Sequence, residues 1–317
     1  MAHPAPATDI DMKPGTPRIL ASFYGLDSMD NAIRKADVLI EALSYIRRFR
    51  DRITVIKLGG SAMEDAGTLR ATLQDVVFME TVGMRPVLVH GGGKPIDRAM
   101  AAAGLKPRKV QGRRYTDNET LAIVVRVLKE LNTEIEAQIR ELGGRAVGLS
   151  TGSLQSLFGE RLLLQDEAGK ALDLGRVGRV TRVDHALLSD FCAGGVVPVL
   201  PSLALDSDQG WLNINADTAA AAVAANLRAE KLVILTDTPG ILLNRAEPGS
   251  LVRGLDAAGC RDLMARGIID EGMIPKVEAC LESLAAGVRQ THIIDGRLRH
   301  SLLLEIYTDY GVGTEIK

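Results

Sequence analysis

Six short apolar runs alternate with segments of helical period along this chain, and that alternation limits the fold more than any other feature. The runs are "ITVIKL", "RPVLVH", "RAVGLS", "VVPVLPSLAL", "KLVILTD" and "RQTHIID". Between and around them lie "TLRATLQDVVFMETV", "KPIDRAMAAA", "NETLAIVVRVLKELNTEIEAQIREL", "DTAAAAVAANLRA" and "IPKVEACLESLAAG", whose apolar residues recur three and four apart. Strands that are apolar throughout are buried on both faces, as in a parallel sheet covered by helices. The expected fold is therefore α/β, a three-layer αβα sandwich with a largely parallel central sheet. One stretch, "SLQSLFGERLLLQDEAGKALDLGRVGRVTRVD", breaks the rhythm and reads as short strands and turns, a hairpin excursion.

In such sheets ligands sit at the carboxyl ends of the strands. Here those ends share one theme. "TVIK" runs into Lys57 and then Gly59-Gly60-Ser61, and "RPVLVH" into Gly91-Gly92-Gly93-Lys94. "KLVILTD" runs into "TPG", ending at Gly240. "LNINADTAAAA" sets Asn213, Asn215 and Asp217 at the mouth of an alanine-rich helix, and "GMIPK" sets Lys276 in the first turn of another. A buried lysine without a partner is expensive. Paired glycines let the backbone approach a ligand closely, and N–H groups at helix starts cradle anions. Asp217 also reads as the N-cap of its helix. Lys94, before a proline, reads as solvated, and His90 as a packed histidine without a catalytic role.

Several chemistries find no support. No Walker A pattern is present, because Pro95 follows Gly93-Lys94. The sequence has no GxGxxG after a strand and no HExxH. Five histidines show no metal-ligand spacing, so no protein-held metal is expected. A net charge of −2 and 3% aromatic residues give no case for nucleic acid or a membrane surface as partner. The scattered cysteines, Cys192, Cys260 and Cys280, fit a reducing compartment, and no apolar run approaches a membrane span, so a cytoplasmic location is expected. Two lysines, glycine loops, an aspartate and asparagines suit phosphoryl transfer between two anions, where positioning and charge neutralisation do most of the work.

"IKLGGSAM", "LVHGGGKPID", "GRRYTD", "LNINADTAAAAVAANLRAEKLVILTDTPGIL", "GMIPKVEACLESL" and "HSLLLEIYTDYGVGTEI" together resemble the amino acid kinases, and among them the acetylglutamate kinases. The resemblance runs from Tyr45 to Ile316 in the family's order. It implies the amino acid kinase fold and an ATP-dependent transfer to the γ-carboxylate of N-acetyl-L-glutamate, a step in arginine biosynthesis. By resemblance, Lys57 and Lys276 hold the transferring phosphoryl and Asp217 orients them. Gly59, Gly60 and Ser61 contact the ATP phosphates, and Thr236, Asp237 and Gly240 border the nucleoside. Gly91, Gly92 and Gly93 close over the acceptor, Arg114 clamps its α-carboxylate, and Asn213 binds its acetylamino and carboxylate groups. Mg2+ is expected on the ATP oxygens and water. An aminoadipate derivative, glutamate, aspartate or carbamate as acceptor, and a silent nucleotide or arginine sensor, remain alternative readings.

Ahead of the first strand, "SMDNAIRKADVLIEALSYIRRF" places Ala32, Ala36, Leu39, Leu43 and Ile46 on one stripe, with Ser28 as a cap. This helix packs either on its own domain or against another subunit. An extra helix of this kind resembles the arginine-inhibited, hexameric branch of the family, a trimer of dimers. The resemblance implies an arginine site formed by Tyr45, Arg48, His300, Glu305, Gly311 and Glu315. Expected divisions are a tail at 1–25, an oligomerisation helix at 26–50, an acceptor-binding and dimerising lobe at 51–205 and an ATP lobe at 206–317. The chain departs from the family at "TGSLQSLFGERLLL" and at Arg179, which puts local loop geometry in question.

Overall fold

The computed structural model describes residues 29–110, 113–149, 154–165, 169, 171–270, 272–307 and 311–317. The expected tail, the Ser28 cap and residues 151–153 of the atypical segment lie outside them. Two compact units are present, Met1–Arg48 and Phe49–Lys317. The first contains nearly all of helix α1 (Met29–Phe49). On α1, Ile33, Val38, Leu39, Ile40 and Leu43 are exposed, Leu39 by 70%. No helix among the described residues is long and apolar enough to cross a membrane.

The second unit begins with β1 (Ile53–Leu58), α2 (Ala66–Thr81), β2 (Arg85–His90), α3 (Gly93–Ala102), β3 (Lys109–Val110), β4 (Arg113–Arg114), α4 (Asn118–Glu141) and β5 (Ala146–Gly148). The excursion follows as β6 (Leu157–Arg161), β7 (Leu164–Gln165), β8 (Ala171–Leu172) and β9 (Val177–Val183). Then come α5 (His185–Ala193), β10 (Val197–Pro201), β11 (Leu203–Leu205), β12 (Trp211–Ile214), α6 (Ala216–Asn226) and β13 (Lys231–Thr236). The chain closes with β14 (Gly254–Leu255), α7 (Ala257–Ala265), α8 (Ile274–Ala285), β15 (Gln290–Asp295), α9 (Ser301–Tyr307) and β16 (Thr314–Ile316).

Eight strands form the central sheet in the order β14-β16-β15-β13-β1-β2-β10-β5. The six from β15 to β5 are mutually parallel, while β16 runs antiparallel to β15 and carries β14 alongside. Alternation along each strand divides the core. Val55, Val87, Val89, Leu232 and Ile234 join Leu188 of α5, Val223 of α6, Leu263 of α7 and Val277 of α8 in one cluster. Helices α2, α4 and α9 cover the opposite face. The result is the expected three-layer α/β architecture.

The excursion closes against β11 and β12. Strands β6, β9, β11 and β12 form a small four-stranded barrel, with β6 and β9 paired antiparallel. Arg179, a departure from the family pattern, pairs with Glu160 across this hairpin, Nε to Oε1 at 2.8 Å. The barrel therefore accommodates it on its outer face, and its last strand, β12, delivers Asn213 to the sheet's edge.

Candidate active site

The alternation that buries Val55 sends Lys57, two residues on, to the same face, where the N-terminus of α6 lies. Asp217 stands in the first turn of that helix. Lys57 Nζ is 2.9 Å from Asp217 Oδ1, and Lys276 Nζ, from the first turn of α8, is 2.9 Å from Oδ2. The three side chains are 8%, 5% and 17% exposed for Lys57, Asp217 and Lys276, so water screens them little. Burial alone would raise the Asp217 pKa, but the two ammonium groups outweigh it and hold the carboxyl at about 2. Burial lowers Lys57 below the ordinary lysine value, and Lys276 adds to that against the pull of Asp217. Two cations on one carboxylate leave a net positive charge, a place for an anion. Asp217 does not cap α6. Asn215 does, its Oδ1 accepting from the N–H groups of Asp217 (2.8 Å) and Thr218 (3.1 Å). Asp217 is thereby free for the lysines.

Glycine loops flank this cluster on both sides. A Cβ on Gly59 would lie 2.3 Å from Lys57 Nζ, so only glycine leaves the ammonium its place. Gly60 has φ +63, the left-handed region that favours glycine. Gly91 lies against Ala216 of α6, where a Cβ would come within 3.1 Å of the alanine's. A cleft of about 490 Å³ gathers Lys57, Gly59, Gly60, the Gly91–Gly93 loop, Asn213, Asp217, Thr236, Asp237 and Lys276. Beside it, a second cavity of about 450 Å³ is lined by Gly240 and Ile241, with Asp237, Thr238 and Met273 common to both. Ser61 lies in the short 3-10 turn at Gly60–Met63, and its side chain is outside the described residues. Lys94 is exposed, as expected. Its Nζ pairs with Glu64 Oε2 at 2.7 Å, a strap between the two glycine loops.

Arg114, on β4, enters the cleft 10% exposed and already oriented. Its NH1 is 2.6 Å from Asp97 Oδ1, and its NH2 donates to the Gly93 carbonyl at 3.2 Å. Asp97 was missed in the sequence, although it stands in the same "GGGKPID" run as the loop. Asn213 Nδ2 donates to Thr116 Oγ1 at 3.0 Å, so one face of its amide is spoken for. Arg113 also lines the cleft. Fixing a guanidinium before an anion arrives reduces the ordering cost of binding. Asp97→Ala should therefore raise the KM for the acceptor about tenfold, with a smaller change in kcat, since a close charge pair of this kind is worth about 1.5 kcal/mol. Steady-state kinetics with the acceptor varied checks this.

Of the residues expected to bind arginine, Tyr45 and Arg48 lie near the end of α1. Glu305 on α9 is buried, its Oε1 2.7 Å from His292 Nδ1 and its Oε2 accepting from the N–H groups of Val312 (2.6 Å) and Gly313 (3.1 Å). A Cβ on Gly311 would lie 3.6 Å from the Glu305 carboxylate. Glu315 belongs to the same chain of contacts through Gln290 and Lys231, whose Nζ is 3.1 Å from His292 Nε2. His300 turns elsewhere, its Nδ1 2.5 Å from Asp75 Oδ1 on α2. Lys231 and His292 were not foreseen, because an apolar strand start gives no sign of a polar partner on the neighbouring strand.

Residues 52–295 match the model of the amino acid kinase family. The acetylglutamate kinase of Pelotomaculum thermopropionicum is 46% identical over 294 residues, covering 91% of this chain and 100% of that one. Among solved structures, the N-acetylglutamate synthase of Neisseria gonorrhoeae, complexed with coenzyme A and N-acetyl-glutamate, superposes with a TM-score of 0.79 at 27% identity. The same synthase complexed with coenzyme A and L-arginine gives a TM-score of 0.74 at 26% identity. Each aligns with 92% of this chain, and the chain spans 63% and 65% of those longer chains. The sheet order, the paired lysines at its carboxyl edge and a family match over most of the length lead to one conclusion: this chain belongs to the amino acid kinase family.

Proposed function

We propose that this protein is an acetylglutamate kinase, which transfers the γ-phosphoryl of ATP to the γ-carboxylate of N-acetyl-L-glutamate in arginine biosynthesis. One observation carries the reading: two lysines bridged by a single buried carboxylate, between two glycine loops, at the exit of a parallel sheet. The substrate carboxylate is itself the nucleophile, so the protein's part is to position two anions and neutralise the charge between them. Lys57 and Lys276 meet the migrating phosphoryl, and Asp217 fixes their spacing. Gly59, Gly60 and Ser61 offer N–H groups on the donor side. Gly92 and Gly93 offer them on the acceptor side. Thr236, Asp237 and Gly240 border the nucleoside, and Arg114 with Asn213 holds the acetylglutamate. The lobe at 51–205 then carries most of the acceptor site and the lobe at 206–317 most of the nucleotide site, with Gly59–Ser61 and Asn213 crossing that division. Mg2+ would be held by the phosphate oxygens and water. The ion would neutralise the phosphate charge that the lysines do not.

Arginine acts as the feedback inhibitor in this reading, through Tyr45, Arg48, His300, Glu305, Gly311 and Glu315, and α1 joins subunits into a hexamer. The apolar residues exposed on α1 support this, since a stripe of that kind is buried in a functional assembly. Replacing Leu39 and Ile40 by glutamate should lower the mass seen by light scattering to that of a dimer and abolish arginine sensitivity, with catalysis retained. A variant that keeps the parent mass removes α1 from the interface.

Acyl-phosphate formation from ATP, trapped with hydroxylamine, tests the main reading with N-acetylglutamate, glutamate, aspartate and acetyl-aminoadipate as acceptors. Product from N-acetylglutamate above the others is expected, and suppressed by arginine. Product from another acceptor instead moves the protein elsewhere in the family, and tight ATP binding with no product from any acceptor makes it a sensor.

A further inference from the structure

Beneath the acceptor loop lies a buried polar chain that the mechanism leaves unused. His90, the last residue of β2, is 0% exposed, as is Asn132 on α4. Strand alternation puts His90 on the face opposite Val89, towards α4. The hydrogens in this chain follow by elimination. The Val199 carbonyl can only accept, so the Asn132 amide nitrogen must face it, at 2.9 Å. The second N–H of that amide meets His90 Nε2 at 3.1 Å, which must therefore accept. The ring proton is then on Nδ1, where it meets the Gly91 carbonyl at 3.1 Å, again a group that can only accept. Burial lowers the His90 pKa to about 4, so the ring is neutral at physiological pH and this tautomer persists.

The consequence lies in the next peptide. In a planar trans peptide the C=O and N–H point in opposite directions, and there is no cis bond here. Holding the Gly91 carbonyl down against His90 turns the Gly92 N–H away from the ring, on the side of the cleft that Gly92 lines. The Gly91 N–H is already taken, donating to the Leu58 carbonyl at 3.2 Å. Gly92 is also seated tightly on α4, since a Cβ there would come within 2.9 Å of Leu128 and 3.2 Å of Leu131. Helix α4 thus fixes both the loop and, through Asn132, the ring that orients it.

We infer that His90, held in one tautomer by Asn132, is a positioning residue that aims the Gly92 N–H at the acceptor side of the cleft and so sets turnover more than substrate binding. This rests on the kinase reading of the same cleft. Two substitutions separate the ring's two nitrogens. His90→Asn puts an amide nitrogen near the Nδ1 position and keeps a donor for Gly91. His90→Gln puts its amide near Nε2 and leaves the Gly91 carbonyl without a donor.

The experiment combines kinetics of both variants in the full chain with their crystal structures. His90→Gln is expected to lower kcat about tenfold or more, as loss of an aligned backbone donor does, while the KM for N-acetylglutamate changes less than about threefold. His90→Asn should restore most of that loss. The Gly91–Gly92 peptide should be rotated in the Gln variant and unrotated in the Asn variant. Equal kcat in His90→Gln and the parent overturns the proposal, as do equal losses in both variants or an unrotated peptide in His90→Gln. If the parent itself forms no acyl phosphate, the kinase reading fails, and the peptide orientation still decides the role of His90.

Discussion

Lys57→Met is expected to reduce kcat by at least about 10³ while leaving the fold as stable as the parent or more so. The loss follows from the site's charge. Cations placed on a migrating phosphoryl group contribute about 10³–10⁵ in rate in comparable transfers, and that is the role proposed for Lys57 at the strand exit. The stability half follows from counting charges in the buried cluster. Two ammonium groups share one carboxylate, with Lys57 and Asp217 both under one-tenth exposed. Removing one ammonium leaves a neutral pair between Asp217 and Lys276, and relieves the repulsion between the lysines that contributes to the lowered Lys57 pKa. Asp217→Asn should behave oppositely. It leaves two buried ammonium groups facing an amide, and breaking a buried pair in this way costs about 3–5 kcal/mol. Turnover and stability should then fall together. Denaturant melts beside kinetics separate the two, and a Lys57→Met protein with near-parent turnover would contradict the site assignment. Because the folded Asp217 pKa is about 2, its stabilising effect is fully present above about pH 4, where an unfolded carboxylate ionises, and is lost as pH falls through about 2. Activity between pH 5 and 8 should show no acidic limb from this residue.

Gly59→Ala is the second change with a large expected effect, and one that chain conformation alone would not predict. Gly59 does not have a positive φ, so alanine fits its backbone. The added methyl would stand 2.3 Å from Lys57 Nζ and 2.8 Å from its Cε. The flexible side chain yields, and the ammonium is driven off Asp217. A displacement of about 1 Å in a positioning group can reduce rate about 10²-fold, so kcat should fall on that order with little loss of stability. Gly60→Ala is the counterpart. Its φ is +63 but open space surrounds it, the nearest atom to an added Cβ being the Asp237 nitrogen at 4.0 Å. That variant should lose about 1 kcal/mol of stability through backbone strain and less of its rate. The reverse ranking of the two in kcat would contradict the account.

These two glycines also mark how far the sequence could be read. Apolar runs and helical periods identified the six parallel strands and six of the helices, because each signal is local. The strand exits were legible for the same reason, since Lys57, Gly59, Gly91 and Asp217 each sit at a fixed offset from a strong pattern. Strand β16 was not legible as the antiparallel strand next to the sheet's edge. It has three residues, Thr314–Ile316, and its direction is set by pairing with β15 across the Ile293–Thr314 register. Helices α5 and α7, nine residues each, have too few turns to show a period. The small barrel depends on pairs distant in sequence, such as Leu205 with Phe158. Asp217 was read as a cap because aspartate favours that place. Asn215, two residues earlier, takes it, which frees Asp217 for the lysines. Asp97 stayed hidden because its role comes from Arg114, brought to it from another element of the fold.

The central claim is that Lys57, Asp217 and Lys276 hold the transferring phosphoryl between the two glycine loops. A crystal structure with ADP, Mg2+, N-acetylglutamate and aluminium fluoride, which mimics the phosphoryl in flight, measures this most directly. The account predicts the aluminium fluoride between Lys57 and Lys276, with N–H groups of Gly59 or Gly60 on one side and of Gly92 on the other. Aluminium fluoride bound away from both lysines, with the two substrates in place, would contradict it.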